Sequence, residues 1–486
     1  MALYFQRDTT LRVYPNKADG TRNNAADDAF VIPVLEGFSF SQTTNSSEVT
    51  ISEMESTAGT SRRGRKSFND SLAPVEWSFS TYLRPFLSST GTATGQYLST
   101  TAEQHVVDEV LWNALLAKGR LGEATGEIDR ITVTMNSAVY SAAPTITITD
   151  SGSGTGATAV AVLFASGHAN AGKLSHINVT ASGSGYAANT TTVAIDDTNR
   201  TSGTAATAVE VVGAGEDSLK SRGVASAALV MDSSRSNKAA LNTFFLEFDV
   251  GGSTVYQLNK AVVNSATINF EVDGIATVEW SGSAATITSP APAAFTTLSG
   301  TARAVDEGGT SADTGNFIRN RLTSLSVDPV DGGLSDITAF KTGGSLNSYG
   351  VTLTGGSITI ENGIEYLVPE ELGVINKPIE HVTGVRNISG SFTCYLASGT
   401  NGSKEFFEDM TSSGALDVVA HDFDLTFKVG GTTGTPRVEF NMPHCHIEVP
   451  SHSVEDLISL ETNFSSLQSD MESNSPDDLT ISFYGA

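Results

Sequence analysis

Hydrophobic positions along this chain mostly alternate with Ser, Thr and charged residues, the period-two rhythm of strands that bury one face. Two stretches carry the alternation through a polar turn into a second alternation and read as β-hairpins: Val34 to Ser56 and Thr352 to Leu372. Next in each half comes an aromatic strand ending in a Tyr-Leu pair, WSFSTYL within Pro74 to Pro85 and GSFTCYL within Val385 to Ser398. Helical spacing follows each. Val107, Val110, Leu111, Ala114 and Leu115 share one face, with Thr100 and Glu103 as a capping box and Gly119 as a stop. In the second half Phe406, Phe407 and Met410 take that place within Lys404 to Gly414. Phe244 to Gly282 then parallels Asp424 to Glu461, each with a strand ending in Val-Gly-Gly, a polar turn and further strands.

Four blocks in one order, twice, predict two copies of one fold. The expected class is all-β with minor helix: two tandem β-sandwich or barrel-like domains, each with one packed helix. A second repeat lies inside the first copy, where Ile131 to Leu163 resembles Ile177 to Val212 through Gly-Ser-Gly turns and Thr/Val alternation. The expected organisation is therefore a discontinuous first domain over 1–126 and 214–290, a small all-β insert over 127–213, a Pro/Ala/Gly/Thr-rich linker over 291–315, and a second domain over 316–486.

Composition agrees with strands and turns. Of 486 residues, 46 are Gly and only 17% are charged. The 28 basic against 54 acidic residues leave a formal net charge of −26, so the chain repels phosphate on average. Two cysteines, Cys394 and Cys445, are too few for a disulfide scaffold. MALYFQRDTTLRVYP lacks a basic start followed by an apolar core, so no signal peptide is expected, and no apolar run nears the ~20 residues of a membrane span. The sequons at Asn45, Asn178, Asn387 and Asn463 then read as chance in a Ser/Thr-rich chain.

The strand PVEWSFSTYLRP resembles one characteristic of bacteriophage tail tube proteins. Val263 to Gly282 is similar to their late hairpin, Asp232 to Val250 to the strand before it, and the helix VLWNALL falls between these motifs as in that family. The resemblance implies stacked rings whose inner sheets surround a channel, with the helix outside. It further implies three two-copy chains per ring of pseudo-sixfold symmetry, no cofactor, and tape-measure, tail terminator and baseplate or tail-tip proteins as partners. The same resemblance implies that DNA passes through the lumen without specific binding, and that the protein resides in the virion tail after assembly in the host cytoplasm. The second copy departs from the pattern: it has Gly390 where the first has Trp77.

Candidate chemistry is sparse. SRRGRK puts Arg62, Arg63, Arg65 and Lys66 together in an acidic chain, suited to an acidic surface on a neighbouring subunit or ring. A phosphate contact and a solvated loop are the alternatives. His444, Cys445, His446 and His452 form the one metal-like cluster, but without the spacing of a finger or ribbon they read as strand residues, and no metal is expected. No nucleophile elbow, phosphate loop, HExxH or CxxC occurs, so no enzyme is expected. Trp77, Tyr82 and Trp280 read as core or interface residues. The rival functions are a carbohydrate-binding or adhesive surface protein, with the Gly-Ser-Gly-Tyr turns as modules, and a tail-tip ring protein on the same fold.

Overall fold

The computed structural model describes residues 9–15, 30–51, 64–87, 104–116, 128–134, 138–163, 172–181, 183–187, 190–212, 228–232, 241–250, 254–289, 316–330, 337–342, 345–370, 372, 375–416, 422–431, 436–454, 457–468 and 478–485. Thr100, Glu103 and Gly119 lie outside them. Strands dominate, and the expected all-β class with minor helix holds.

The first half contains β1 (Thr9–Pro15), β2 (Phe30–Ile32), β3 (Ser39–Ser41), β4 (Thr44–Ile51), β5 (Gly64–Leu72), β6 (Val75–Tyr82), α1 (Glu109–Leu116), β7 (Phe244–Val250), β8 (Thr254–Glu271) and β9 (Thr277–Ala284). The second contains β10 (Ser324–Pro329), β11 (Tyr349–Val351), β12 (Leu353–Glu361), β13 (Glu365–Leu367), β14 (Glu380–Val382), β15 (Asn387–Tyr395), α2 (Ser403–Met410), β16 (Phe423–Val429), β17 (Arg437–Ile447), β18 (Ser451–Val454), β19 (Ile458–Ser466) and β20 (Thr480–Tyr484).

Pairing repeats between the halves. The antiparallel path β2–β1–β7–β8–β9–β6–β3 has its counterpart in β11–β10–β16–β17–β19–β15–β12. The correspondence extends to register: Leu11 and Val13 face Phe248 and Leu246, as Leu325 and Val327 face Phe427 and Leu425. A bulge interrupts each ladder at one place, between Phe244 and Leu246 and between Phe423 and Leu425. A bulge sharpens local twist, and here each precedes the point where a long strand crosses from one sheet to the other.

The missing tryptophan of the second half has a packing explanation. Gly282 sits opposite Trp77, and a Cβ there would lie 2.4 Å from the indole and 2.0 Å from the Val262 carbonyl. At the matching pair Gly390 sits opposite Phe464, and its Cβ would lie 2.6 Å from that ring. The bulk has moved to the partner strand, so the pair keeps one large side chain and one bare backbone in a core that tolerates no overlap.

Two expectations change. Val34 to Ser56 is not one hairpin, because β3 pairs with β6 while β4 leaves to pair with β5. Strand β4, TNSSEVTI, exposes residues of both faces, Val49 included, and so has no apolar face to lay on a core. Thr352 to Leu372 divides likewise, with β12 on β15 and β13 on β14. Helix α1, expected to bury one stripe, is buried on every face. Trp112 meets Trp280 at 4.9 Å between ring centroids, but also Phe483 at 5.7 Å and Phe440 at 6.5 Å from the second half. The helix's last turn is capped from that half as well, by Asn362 Nδ2 and Arg386 Nη2 donating to the Leu115 carbonyl at 2.9 and 3.3 Å. The two halves therefore share one core.

Asp108, just before α1, is fully buried and accepts from Thr81 Oγ1 at 2.9 Å and Trp112 Nε1 at 3.1 Å. Burial raises its carboxyl from 3.8 to about 6 despite those donors. The folded chain then holds this proton more tightly than the unfolded one. Asp108 thus lowers stability as pH rises from 3.8 to about 6, with the cost complete above that. Thermal unfolding across this window should show that component in the parent chain and lose it in Asp108→Asn; an unchanged pH profile in the variant would refute the assignment.

The segment expected as an insert builds its own four-stranded sheet from Thr158–Leu163, Leu174–Ala181, Ile128–Thr134 and Thr207–Val212, over a core including Ile128, Ile131, Tyr140 and Ile177. Among the described residues none of its strands pairs with the main sheet. Its Gly-Ser-Gly turns bind each other, Thr155 and Ser184 exchanging backbone bonds of 2.9 and 3.0 Å beneath the Tyr186 ring.

Candidate functional site

The C-terminal part of β8 carries β9 on one edge and β12 of the second half on the other, Thr267 facing Glu279 and Thr359. This junction fuses the halves into one sheet of order β3–β6–β9–β8–β12–β15–β19–β18. Alternation sends Trp77, Phe79, Trp280, Ile268, Ile358 and Phe392 into the core. The opposite face is polar along its whole width, because the intervening residues are almost all Ser, Thr, Asn and Glu.

Register lines these residues up in rows across the strands. One row runs Ser39, Ser78, Ser281, Ser265, Glu361, Asn387. The next runs Ser80, Glu279, Thr267, Thr359, Ser389, Ser465, His446. Neighbouring strands join through side chains along the rows. The Ser39 and Ser78 hydroxyls lie 2.9 Å apart, those of Ser265 and Ser281 2.7 Å, and those of Thr267 and Thr359 3.2 Å. Such cross-strand bonds hold short side chains flat. Lys260 lies in β8 before the part that joins this sheet. Among the residues paired in these eight strands there is no Lys or Arg, and Glu76, Glu271, Glu279, Glu361 and Glu461 give the face negative charge. Chemically it is a hydroxylated, acidic, cation-free surface that offers phosphate no counter-charge.

The sequence-derived candidates lie elsewhere. Arg62 and Arg63 fall outside the described residues, whereas Arg65 and Lys66 stand exposed on β5. Arg65 Nη1 is 3.7 Å from Glu48 Oε2 across the β4–β5 ladder, and Lys66 Nζ lies 5.1 Å from the Phe68 ring centroid. An ion pair so exposed contributes little stability. The base of this hairpin is tied to the second half, Leu72 N–H donating to the Asn376 carbonyl at 2.9 Å.

The His/Cys cluster does not converge. Cys445 points into the core, His444 Nδ1 bonds Asp422 Oδ2 at 2.9 Å, and His452 packs edge-on to Phe407 at 4.3 Å between centroids. Burial raises both cysteine thiols, that of Cys394 to about 11. Trp77 and Trp280 are core residues, and half-buried Tyr82 meets Phe317 edge-on at 5.3 Å. Sequence reasoning missed the polar face as a site. Its signal was the absence of Lys and Arg from the alternating stretches Val75–Tyr82, 262–271, Thr277–Ala284, Leu353–Glu361, Asn387–Tyr395 and Ile458–Ser466.

Among the described residues no helix is long and apolar enough to cross a membrane. No family model matches the chain. Over 475 residues it is 23% identical to the tail tube protein pb6 of Escherichia phage T5, a match spanning 97% of this chain and 74% of that protein. That similarity bears out the resemblance to phage tail tube proteins, and with it a structural role in the virion tail.

Proposed function

We propose that this chain is the repeating subunit of a tail tube, with the cation-free polar sheet face lining the channel through which DNA is ejected. That face is the observation that carries the reading. A conduit must not hold its cargo, and a surface of hydroxyls and carboxylates gives passing phosphates water to slide on and no counter-charge to stop them. The matching strand paths support two copies of one tube fold per chain, over 1–126 with 214–290 and over 316–486, with 127–213 as a surface insert. Three such chains make a ring of pseudo-sixfold symmetry, since cyclic closure satisfies every sheet edge. Arg65 and Lys66, with Arg62 and Arg63 beside them, suit an acidic surface on a neighbouring subunit or ring. Tape-measure, terminator and tail-tip proteins complete the assembly.

Negative-stain electron microscopy at rising protein concentration tests this reading. Tubes or stacked rings with three major lobes and an open centre are expected. Rings of six chains would keep the tube and overturn the trimer. A chain that stays monomeric even with its tail partners present would count against both.

A further inference from the structure

The junction inside the chain is a template for the junction between chains. Strand β12 joins the first half by pairing with β8, with Thr267 opposite Thr359, Ile268 opposite Ile358, Asn269 opposite Ser357 and Phe270 opposite Gly356. Each partner has a counterpart fixed by register. Val263 faces Gly282 as Ile447 faces Phe464, and Asn269 faces Thr277 as Ser453 faces Ser459, which makes Ser451 to Val454 the equivalents of Thr267 to Phe270. Ser39 faces Ser78 as Ser357 faces Ser391, which makes Phe38 to Ser41 the equivalents of Gly356 to Thr359.

Among the described residues, these counterparts pair on one side only, β18 with β19 and β3 with β6. All four residues of β18 are exposed, and Val454, on the side where Phe270 is buried, is 74% exposed. A valine that open on a strand whose equivalent is core marks an absent neighbour. Pro450 occupies the place of Ala266 and supplies no N–H, so the ladder begins at Ser451.

We infer that the open edge of β18 pairs antiparallel with the open edge of β3 in a second copy of this chain, Ser451 opposite Ser41, His452 opposite Phe40 and Ser453 opposite Ser39. Side-chain volumes agree. Phe270 fills the space over Gly356 inside the chain, where a Cβ would lie 2.6 Å from its ring. Between chains the smaller Val454 meets the larger Phe38, the same inversion that relates Trp77 with Gly282 to Gly390 with Phe464. The polar rows then run unbroken from chain to chain, Ser41 and Ser451 meeting as Thr267 and Thr359 do.

This register rests on the tube reading, and cysteine cross-linking separates the two. In assembled tubes treated with copper phenanthroline, Ser41→Cys with Ser451→Cys should give a covalent ladder ending at three chains. Ser39→Cys with Ser453→Cys should do the same, and the slipped pair Ser39→Cys with Ser451→Cys at least tenfold less. All four serines are exposed, and the native cysteines are buried. Tubes that cross-link through the slipped pair, or through none, overturn the register and leave the tube standing. Failure of every variant and of the parent chain to assemble overturns both.

Discussion

Trp112→Ala should cost the folded chain about 3–5 kcal/mol, the largest single-residue loss expected outside the glycine pairs. The indole is fully buried and touches three aromatic rings drawn from both halves. Its removal opens a cavity where the halves meet and takes one of two side-chain donors from a buried carboxyl, Asp108. The surroundings cannot close the gap cheaply, because α1 is held at its other end by Asn362 and Arg386. Urea unfolding of the isolated chain measures the effect. A loss near that of Phe440→Ala would place α1 in the shared core as described. A loss below about 1 kcal/mol would mean that α1 is a surface helix. Trp112→Phe, which keeps most of the volume but not the N–H, should fall between.

That burial was not legible in the sequence. Val107, Val110, Leu111, Ala114 and Leu115 predict one apolar stripe, and Glu109 and Asn113 look like the solvent side. Trp112, off that stripe, packs on Phe440 and Phe483, more than 300 residues away in sequence, and no local periodicity reports a contact of that kind. The duplicated order of blocks was legible because strand, helix and Val-Gly-Gly turn each leave a local mark. One pair of matching strands leaves almost no local mark: LRVYP in β1 and LSVDP in β10 agree at only three of five positions, Leu, Val and Pro, too few to stand out until their equivalent partners β7 and β16 are known. The departure at Gly390 was visible but misleading. Selection at such a pair acts on the summed volume of two residues on different strands, so reading either strand alone shows a loss where the structure shows an exchange.

The polar face was hidden for a related reason. Each strand shows only two to four Ser, Thr or Glu positions on this face, unremarkable in a chain with this composition. Their meaning lies in the register that aligns them, and above all in which residues are excluded. Basic residues are not scarce at the margins of the fold: Arg65 and Lys66 stand on the projecting β4–β5 hairpin, and Lys404 on α2. They are absent where eight strands present one continuous surface.

Placing cations on that surface should therefore impair transport while leaving assembly intact. Thr267→Lys with Thr359→Lys is the informative pair, because the two residues are adjacent in the second row, only partly buried, and away from both open edges of the sheet. A lysine can extend from either position into solvent, so folding and tube formation should persist. Each lysine–phosphate contact is worth about 1 kcal/mol in water. Two per chain then slow DNA release by roughly 30-fold, and far more if rings act in series along the tube. The effect must fade as salt rises, since counterions compete for the same phosphates. Thr267→Gln with Thr359→Gln, one bond shorter than lysine and neutral, should release DNA at the parent rate. Dye-detected DNA release from virions carrying each variant reads all of this directly. Slow, salt-sensitive release with lysine alone identifies the polar face as the channel wall. Equal rates for lysine and glutamine would place DNA on another surface, and intact tubes that fail alike with both would mean that crowding of the wall, not charge, governs passage.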